Sequence, residues 1–151
     1  MANIDLITLK KLRDETSASI ADCRRALDEA NGDYKKALEW LKKRATEIAA
    51  KKADRETSEG LIEAYIHGGG KVGVLVEVLC ETDFVAKTDE FKHLCKEIAM
   101  QVAAMNPTDV ETLLKQDYIR DGSVTIEGLV KTAIGKTGEN ITVKKFIRFE
   151  I

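Results

Sequence analysis

A β-forming run over residues 72–80 constrains this fold more than any other feature. It reads Val-Gly-Val-Leu-Val-Glu-Val-Leu-Cys, which is apolar and β-branched enough to form a largely buried strand. A second strand pattern covers residues 61–67, and three glycines at positions 68–70 separate the two. Glycine adopts the positive φ angles of a tight turn at no steric cost. The sequence therefore predicts a β-hairpin.

Helical patterns open the chain. Asp5, Ser19 and Asp33 each precede a helical pattern, and each side chain can accept a hydrogen bond from the first turn. We predict three short helices that form a compact bundle over residues 1–44. Residues 45–57 are rich in alanine and charge with one large apolar residue, so we predict a helical linker that buries little and lets the bundle shift.

The helical period returns after the hairpin. Apolar residues recur at helical spacing over residues 91–102, before Pro107, and the spacing recurs over residues 126–134, before Gly138. Residues 141–149 alternate as a closing strand. We predict an α+β core over residues 58–151, in which an antiparallel sheet packs against helices.

Charge and hydropathy exclude several classes of function. The chain has 24 basic and 26 acidic residues, so it lacks the basic excess that nonspecific phosphate binding requires, and we expect no direct nucleic-acid partner. No stretch of about 18 apolar residues occurs, and the start lacks a signal-peptide pattern. We therefore expect a cytoplasmic protein with no membrane association.

The reactive residue types are few and scattered. Cys23, Cys80 and Cys95 are odd in number and form no Cys-x-x-Cys pair, which argues against a disulfide framework and a zinc site. Cys95 falls on a buried helical stripe and His93 on its flank, which favours a packed thiol and a surface imidazole over metal ligands. No nucleophile or pair of His and carboxylate emerges. We expect no metal, no cofactor and no enzymatic activity.

The turn after the long strand is the candidate site. It reads Thr82-Asp83-Phe84-Val85, which places an acid and a large aromatic side by side at a strand end. An exposed Phe beside a carboxylate suits insertion into a protein partner, because the ring supplies buried area and the acid binds a cation or a donor. The alternative is that Phe84 caps the core and Asp83 N-caps the next turn.

Several segments resemble the elongation factor Ts family, in the family's order and over nearly the whole chain. They are residues 12–16, 22–27, 31–33, 81–91, 138–141 and 146–150. The resemblance implies a three-helix domain of the ubiquitin-associated (UBA) type at the start of the chain. It also implies a guanine-nucleotide exchange factor for elongation factor Tu, which speeds GDP release and performs no covalent chemistry.

The resemblance also assigns roles to residues. Thr82, Asp83, Phe84 and Val85 match the segment that wedges beside the magnesium site of the partner's nucleotide pocket. A wedge acts by binding the nucleotide-free conformation better than the GDP-bound one.

The bundle matches the family's second contact with the partner. Arg13 matches an arginine of the first helix, and Ile20-Ala21 stand where the family often has Met-Met, which implies a smaller contact. The alternative for Ile20 is a core position in the bundle. His67, in the hairpin, matches a partner-contacting position in the second subdomain of longer members.

The chain is shorter than many family members. Only residues 108–121 connect the long helix to the final helix and strand, where many members have a helical insertion. Short members with a single core dimerise, so we expect a homodimer, with sheet edges such as the final strand as contacts. The alternative function is a UBA-like adaptor that binds a protein through residues 16–21, has no exchange activity and does not depend on Phe84.

Overall fold

The computed structural model describes residues 4–151, with seven helices and five strands in that range. The helices are α1 (Leu6–Thr16), α2 (Ile20–Glu29), α3 (Tyr34–Lys52), α4 (Asp83–Ala86), α5 (Asp89–Met105), α6 (Val110–Lys115) and α7 (Ile126–Thr137). The strands are β1 (Glu59–His67), β2 (Val72–Cys80), β3 (Asp117–Tyr118), β4 (Asp121–Thr125) and β5 (Thr142–Glu150). Within residues 4–151, no helix is both long and apolar enough to cross a bilayer.

The first three helices form the predicted bundle, and the three predicted N-caps are confirmed. Asp5 accepts hydrogen bonds from the amides of Ile7 and Thr8, and the side chains of Ser19 and Asp33 cap α2 and α3 in the same way. The apolar side chains meet in one cluster. Its buried members are Leu9, Leu12, Cys23, Ala26, Leu27, Ala30, Ala37 and Leu41.

The predicted hairpin is confirmed, and β2 is the central strand of a three-stranded antiparallel sheet. β1 pairs with β2 in a continuous register from Glu59 opposite Cys80 to His67 opposite Val72. Gly68, Gly69 and Gly70 all have positive φ in the turn. β5 pairs with the other side of β2, so the strand order is β1-β2-β5.

The core lies between the inner face of the sheet and α5, with α7 beside α5. Val76, Val78 and Cys80 point inward from β2, and all three are fully buried. α5 covers them with an amphipathic stripe that includes Phe91 and Ile98. The predicted α+β class is confirmed, as is the single long helix after the hairpin.

The predicted linker over residues 45–57 is exposed along most of its length, and one face of it packs against the sheet domain. α3 continues without a break to Lys52, and Ala49 is 5 % exposed within the core cluster of the sheet domain. The small side chain of Ala45 faces Gly135 of α7, where an added Cβ would lie 3.1 Å from the Ala45 Cβ. Small residues allow the two helix backbones to approach closely. The sequence does not predict this contact, because alanines are weakly apolar and nothing near them in the chain indicates the glycine of α7 that faces Ala45.

Residues 108–121 form more structure than a plain connection. They contain α6 and the start of a β3-β4 hairpin. Two buried polar residues of α5 hold this hairpin in place. Gln101 donates to the Asp117 carbonyl at 3.0 Å and accepts from the Ile119 amide at 3.0 Å. Glu97 is 3 % exposed, accepts from the Tyr118 hydroxyl and pairs with Arg120 at 2.7 Å. Because each polar group is partnered, burial of this pair is tolerated.

Gly60 gives a test of the hairpin geometry. Its φ is +151°, and a Cβ there would lie 2.1 Å from the backbone oxygen of Val78 on the paired strand. We expect Gly60→Ala to lower the free energy of unfolding by about 3 kcal/mol, through the clash and the strain. The matched control is Gly122→Ala, because a Cβ at Gly122 meets nothing within 4 Å. Urea unfolding of both variants measures the effect, and equal stabilities would contradict this account.

Candidate functional site: the turn that follows strand β2

Two helix caps shape the turn between β2 and α5. Thr82 is the N-cap of α4, and its hydroxyl accepts from the Val85 amide at 3.4 Å. Thr88 is the N-cap of α5, and its hydroxyl accepts from the Phe91 amide at 3.2 Å. Two caps six residues apart leave room for a single helical turn between them. The sequence therefore fixes the local shape of this segment.

Phe84 projects into solvent from that turn. Its side chain is 81 % exposed, whereas Ala86 is 4 % exposed and belongs to the core cluster. Residues two apart on a helix point about 200° apart, so anchoring Ala86 in the core directs Phe84 outward. The alternative that Phe84 caps the core is wrong. Asp83 is also not the N-cap, because Thr82 fills that position.

Asp83 stands beside the ring as a charged, exposed carboxylate. Its Oδ2 lies 2.9 Å from the Lys87 ammonium one turn later. The hydrogen bond from Lys87, together with its positive charge, holds the pKa of Asp83 below its ordinary value. Val85 is half-buried against the core. The site thus presents a bare aromatic ring and an acid to solvent, on a turn that is anchored behind them.

The turn is tied to a distant loop by residues 139 and 140. The Glu139 carboxylate accepts from the Glu81 amide at 3.1 Å, the Thr82 amide at 2.9 Å and the Thr82 hydroxyl at 2.6 Å. In return, the Glu81 carboxylate accepts from the Asn140 amide at 2.8 Å. Sequence reasoning missed these contacts, because no pattern links residues 57 to 59 positions apart.

The thiol next to the site is unsuited to nucleophilic chemistry. Cys80 is fully buried, and its sulfur donates to the Thr82 carbonyl at 3.1 Å. Burial, and then the negative charge of Glu139, raise the pKa of Cys80 to about 11. Burial likewise raises the pKa of Cys95 to about 12. Among residues 4–151, no group of three or more His, Cys, Asp or Glu side chains is placed to hold a metal ion.

The bundle residues named from the sequence flank one short turn. Arg13 lies in the last turn of α1, and Ile20 and Ala21 open α2. Between the helices, Ser17 adopts a left-handed conformation with φ 52°. Ile20 is 54 % exposed, so the alternative that places it in the bundle core is wrong. Arg13 and Ala21 are exposed as well, and the three side chains are free to contact a partner.

His67 lies far from Phe84 within one chain. It ends β1 at the glycine turn, and its Nδ1 lies 2.9 Å from the Tyr65 hydroxyl. Cys80, four residues before Phe84, lies at the opposite end of the same hairpin, eight residues along the strand from the pair of His67 and Val72. At the rise of a strand, the two ends of the hairpin are about 27 Å apart. One copy of the chain therefore does not bring the two side chains to a common point.

The outer face of the sheet is apolar and uncovered within residues 4–151. Its exposed large side chains are Ile62, Ile66, Leu75, Ile147 and Phe149, with exposures of 71, 66, 47, 48 and 67 %. The charged residues Glu77 and Lys145 oppose each other in the register of this face, with 3.8 Å between Oε2 and Nζ. That Glu77 oxygen is buried and has no hydrogen-bond partner in the described part of the chain.

Comparison with known proteins places the chain in a family. The sequence model of the family "Elongation factor TS" matches residues 81–151, which include the whole turn and Glu139. An elongation factor Ts of Carboxydothermus hydrogenoformans is 41 % identical over 188 aligned positions, covering 95 % of this chain and 87 % of that protein. A chloroplastic elongation factor Ts of Guillardia theta is 42 % identical, covering 95 % of this chain and 87 % of that protein.

The alignments also differ in length. The 188 positions of the C. hydrogenoformans alignment exceed the 151 residues of this chain, so that relative has residues that this chain lacks. An elongation factor Ts of a Nostoc strain is 46 % identical over 151 positions, covering all of this chain and 48 % of that protein. Because these relatives are 41–46 % identical and their alignments cover 95 % or more of this chain, this chain belongs to the elongation factor Ts family.

Proposed function

We propose that this protein is a guanine-nucleotide exchange factor for elongation factor Tu in translation elongation. It binds the GDP-bound partner, promotes release of GDP and performs no covalent chemistry of its own. The observation that carries the proposal is the bare ring of Phe84 beside the charged Asp83, held on a turn whose base is anchored in the core. Membership of the elongation factor Ts family supports the choice of partner.

The proposed wedge, residues 82–85, speeds release if it binds the nucleotide-free conformation of the partner more tightly than the GDP-bound one. Phe84 has most of its surface in water, so burying the ring in a partner stabilises the complex by about 1.5–3 kcal/mol. If the pocket that receives the ring opens only in the nucleotide-free conformation, this energy favours that conformation. By linkage, GDP then binds less tightly in the complex.

Asp83 acts beside the ring. Its partner Lys87 is exposed, and an exposed pair of this kind contributes little, so exchanging Lys87 for a donor on the GTPase costs little. We propose that this exchange displaces the partner segment next to the magnesium ion. Loss of the ion leaves the phosphate charge uncompensated and weakens the hold on GDP. Thr82 and Val85 complete the wedge by fixing the turn.

The bundle provides the second contact. Arg13, Ile20 and Ala21 are exposed around one turn and offer a cation beside a small apolar surface. We propose that they grip the GTPase domain and supply affinity rather than the release step. On this proposal residues 1–44 dock, residues 45–57 connect, and residues 58–151 carry the wedge and the dimer contact. The protein acts in the cytoplasm and needs neither a cofactor nor a metal of its own.

A homodimer would cover the apolar face of the sheet. Two copies related by a twofold axis present the same surface to each other, and aliphatic side chains such as Leu75 and Ile147 are self-complementary. We propose the outer face rather than the sheet edges predicted from the sequence. The face holds the exposed apolar residues, and it includes the final strand. In the dimer one copy presents Phe84 to a partner while the other presents His67.

The wedge is tested by release of a fluorescent GDP analogue from elongation factor Tu in a stopped-flow instrument. We expect Phe84→Ala to lower the maximal release rate by about 10- to 100-fold, because the ring's burial energy is lost. We expect Asp83→Ala to lower it on the order of fivefold. The control is Met105→Ala, an exposed apolar residue at the far end of α5.

The outcomes separate the two functions. If the wild type accelerates release and Phe84→Ala does so equally well, the wedge is wrong. If the wild type leaves the rate unchanged, the exchange proposal is wrong and the adaptor function becomes the better account. The exposed Ile20 beside the turn of the bundle is the observation that favours that alternative.

The docking role of the bundle has a different kinetic signature. Arg13→Ala and Ile20→Ala remove contacts made in both states of the partner, so we expect a higher half-saturating concentration with an unchanged maximal rate. A rise of about three- to tenfold for each variant corresponds to one interface contact. Lys43→Ala, an exposed change on α3, is the control. A lower maximal rate at unchanged half-saturation would contradict this role.

The dimer is tested by sedimentation at micromolar concentration. We expect the wild type at twice the chain mass of 16.7 kDa. Ile147→Asp places a charge in the proposed interface and is expected to give monomers, because the buried carboxylate has no partner there. Ile119→Asp changes a residue of similar exposure on the β3-β4 hairpin, away from the face, and is the control. A monomeric wild type, or a dimeric Ile147→Asp protein, would contradict the interface.

A further inference from the structure

We infer that Glu139 is a positioning residue for the turn that carries Phe84. It sets the direction of the ring through Thr82 without touching the partner GTPase. The inference rests on the proposed exchange function and assigns a role there to a residue outside the wedge. Its basis is the three hydrogen bonds that the Glu139 carboxylate accepts from the base of the turn.

Local contacts fix the shape of the turn but not its direction. α4 is four residues long, too short to be stable without outside support. The caps at Thr82 and Thr88 are contacts within the segment and move with it. Ala86 and the half-buried Val85 anchor the inner side of the turn on the core. Apolar contacts are not directional, so they leave the turn free to tilt about its base.

Glu139 supplies the missing restraint from a distant part of the chain. One oxygen accepts from two consecutive amides, at Glu81 and Thr82, and the other accepts from the Thr82 hydroxyl at 2.6 Å. Because that hydroxyl donates its proton to Glu139, its lone pair faces the Val85 amide, and the N-cap bond forms. The carboxylate thus determines both the direction of the first turn and its cap. Hydrogen bonds to a charged acceptor are among the stronger ones in proteins.

The carboxylate is itself held in place. Gly138 ends α7 in a left-handed conformation with φ 75°, which directs the chain toward the turn. The next residue, Asn140, is 6 % exposed, and its side-chain amide donates to the Arg55 carbonyl at 2.8 Å. Its backbone amide donates to the Glu81 carboxylate at 2.8 Å. The pairs Glu139 with Thr82 and Asn140 with Glu81 therefore form a reciprocal clamp between the two loops.

A Phe84 ring that is held in one direction promotes release more effectively than a ring that samples several directions. When the ring is already held in its working direction, the cost of ordering it does not reduce the energy available to displace the nucleotide. Without Glu139 the ring samples several directions and reaches the working one less often. Docking through the bundle is unaffected, because Arg13 and Ile20 lie on other helices. Removal of Glu139 therefore lowers the maximal rate of GDP release and leaves the affinity for the partner GTPase unchanged.

Stopped-flow release of the fluorescent GDP analogue, over a range of concentrations of this protein, tests the inference. We expect Glu139→Ala to lower the maximal rate by about tenfold, with half-saturation unchanged. Glu139→Gln is the matched variant, because its carbonyl oxygen still accepts from both amides and its amide nitrogen donates to the Thr82 hydroxyl, while the charge is lost. A second lone pair of that hydroxyl still faces the Val85 amide, so we expect the variant to retain most of the wild-type rate. Circular dichroism and thermal unfolding check that both variants fold.

A double-mutant cycle separates positioning from general destabilisation. If Glu139 acts through the ring, Glu139→Ala lowers the rate much less in a Phe84→Ala background than in the wild type. Equal losses in both backgrounds would overturn the inference, as would an unchanged maximal rate in a folded Glu139→Ala protein.

Two further results keep the test decisive. If Glu139→Ala does not fold, Thr82→Val removes the hydroxyl that Glu139 orients, and a wild-type rate in that folded variant overturns the inference. If the wild type itself fails to accelerate release, the proposed function is the part that fails. A wild type that accelerates release while Glu139→Ala matches it leaves the exchange function standing and rejects only the role of Glu139.

Discussion

Strand β2 is the element on which the rest of the structure depends. It is hydrogen-bonded on both sides, to β1 and β5, and its inward residues Val76, Val78 and Cys80 are fully buried beneath α5. A strand held in this way is rigid. The chain leaves its end at Cys80 and forms the turn of Phe84 within four residues. The exposed ring therefore stands close to the end of a strand that is hydrogen-bonded on both sides.

Three loops meet at that strand end, and polar contacts join them. Glu139 and Asn140 reach it from the end of α7, and the loop after α3 contributes the Arg55 carbonyl and an ion pair, at 3.6 Å, between Arg55 and Glu81. These contacts satisfy the backbone amides where β2 stops, which is where a strand end would otherwise leave them unpaired. The same contacts connect the bundle helix α3, the core and the candidate site, so the proposed docking and release contacts belong to one framework.

Much of the fold was predictable because its signals are local. N-caps at Asp5, Ser19 and Asp33, the glycine turn after β1, the helical stripe of α5 and the stop at Gly138 each depend on a few neighbouring residues, and each is confirmed. Two features that the sequence does not show concern packing between distant segments. Ala45 of α3 faces Gly135, and no local pattern predicts this contact because the two residues are 90 positions apart. The β3-β4 hairpin was missed because buried side chains of α5, rather than a strand pattern, hold it.

The same division applies to the candidate site. The sequence by itself determined which residues compose it, because Thr82-Asp83-Phe84-Val85 directly follows a strand pattern and carries the family resemblance. It left open whether Phe84 faces the core or solvent, since both are compatible with the pattern. Only the tertiary structure decided this, by anchoring Ala86 in the core and clamping Thr82 to Glu139. The physical reason is that local hydrogen bonds set the shape of a turn, whereas its direction depends on contacts with residues far along the chain.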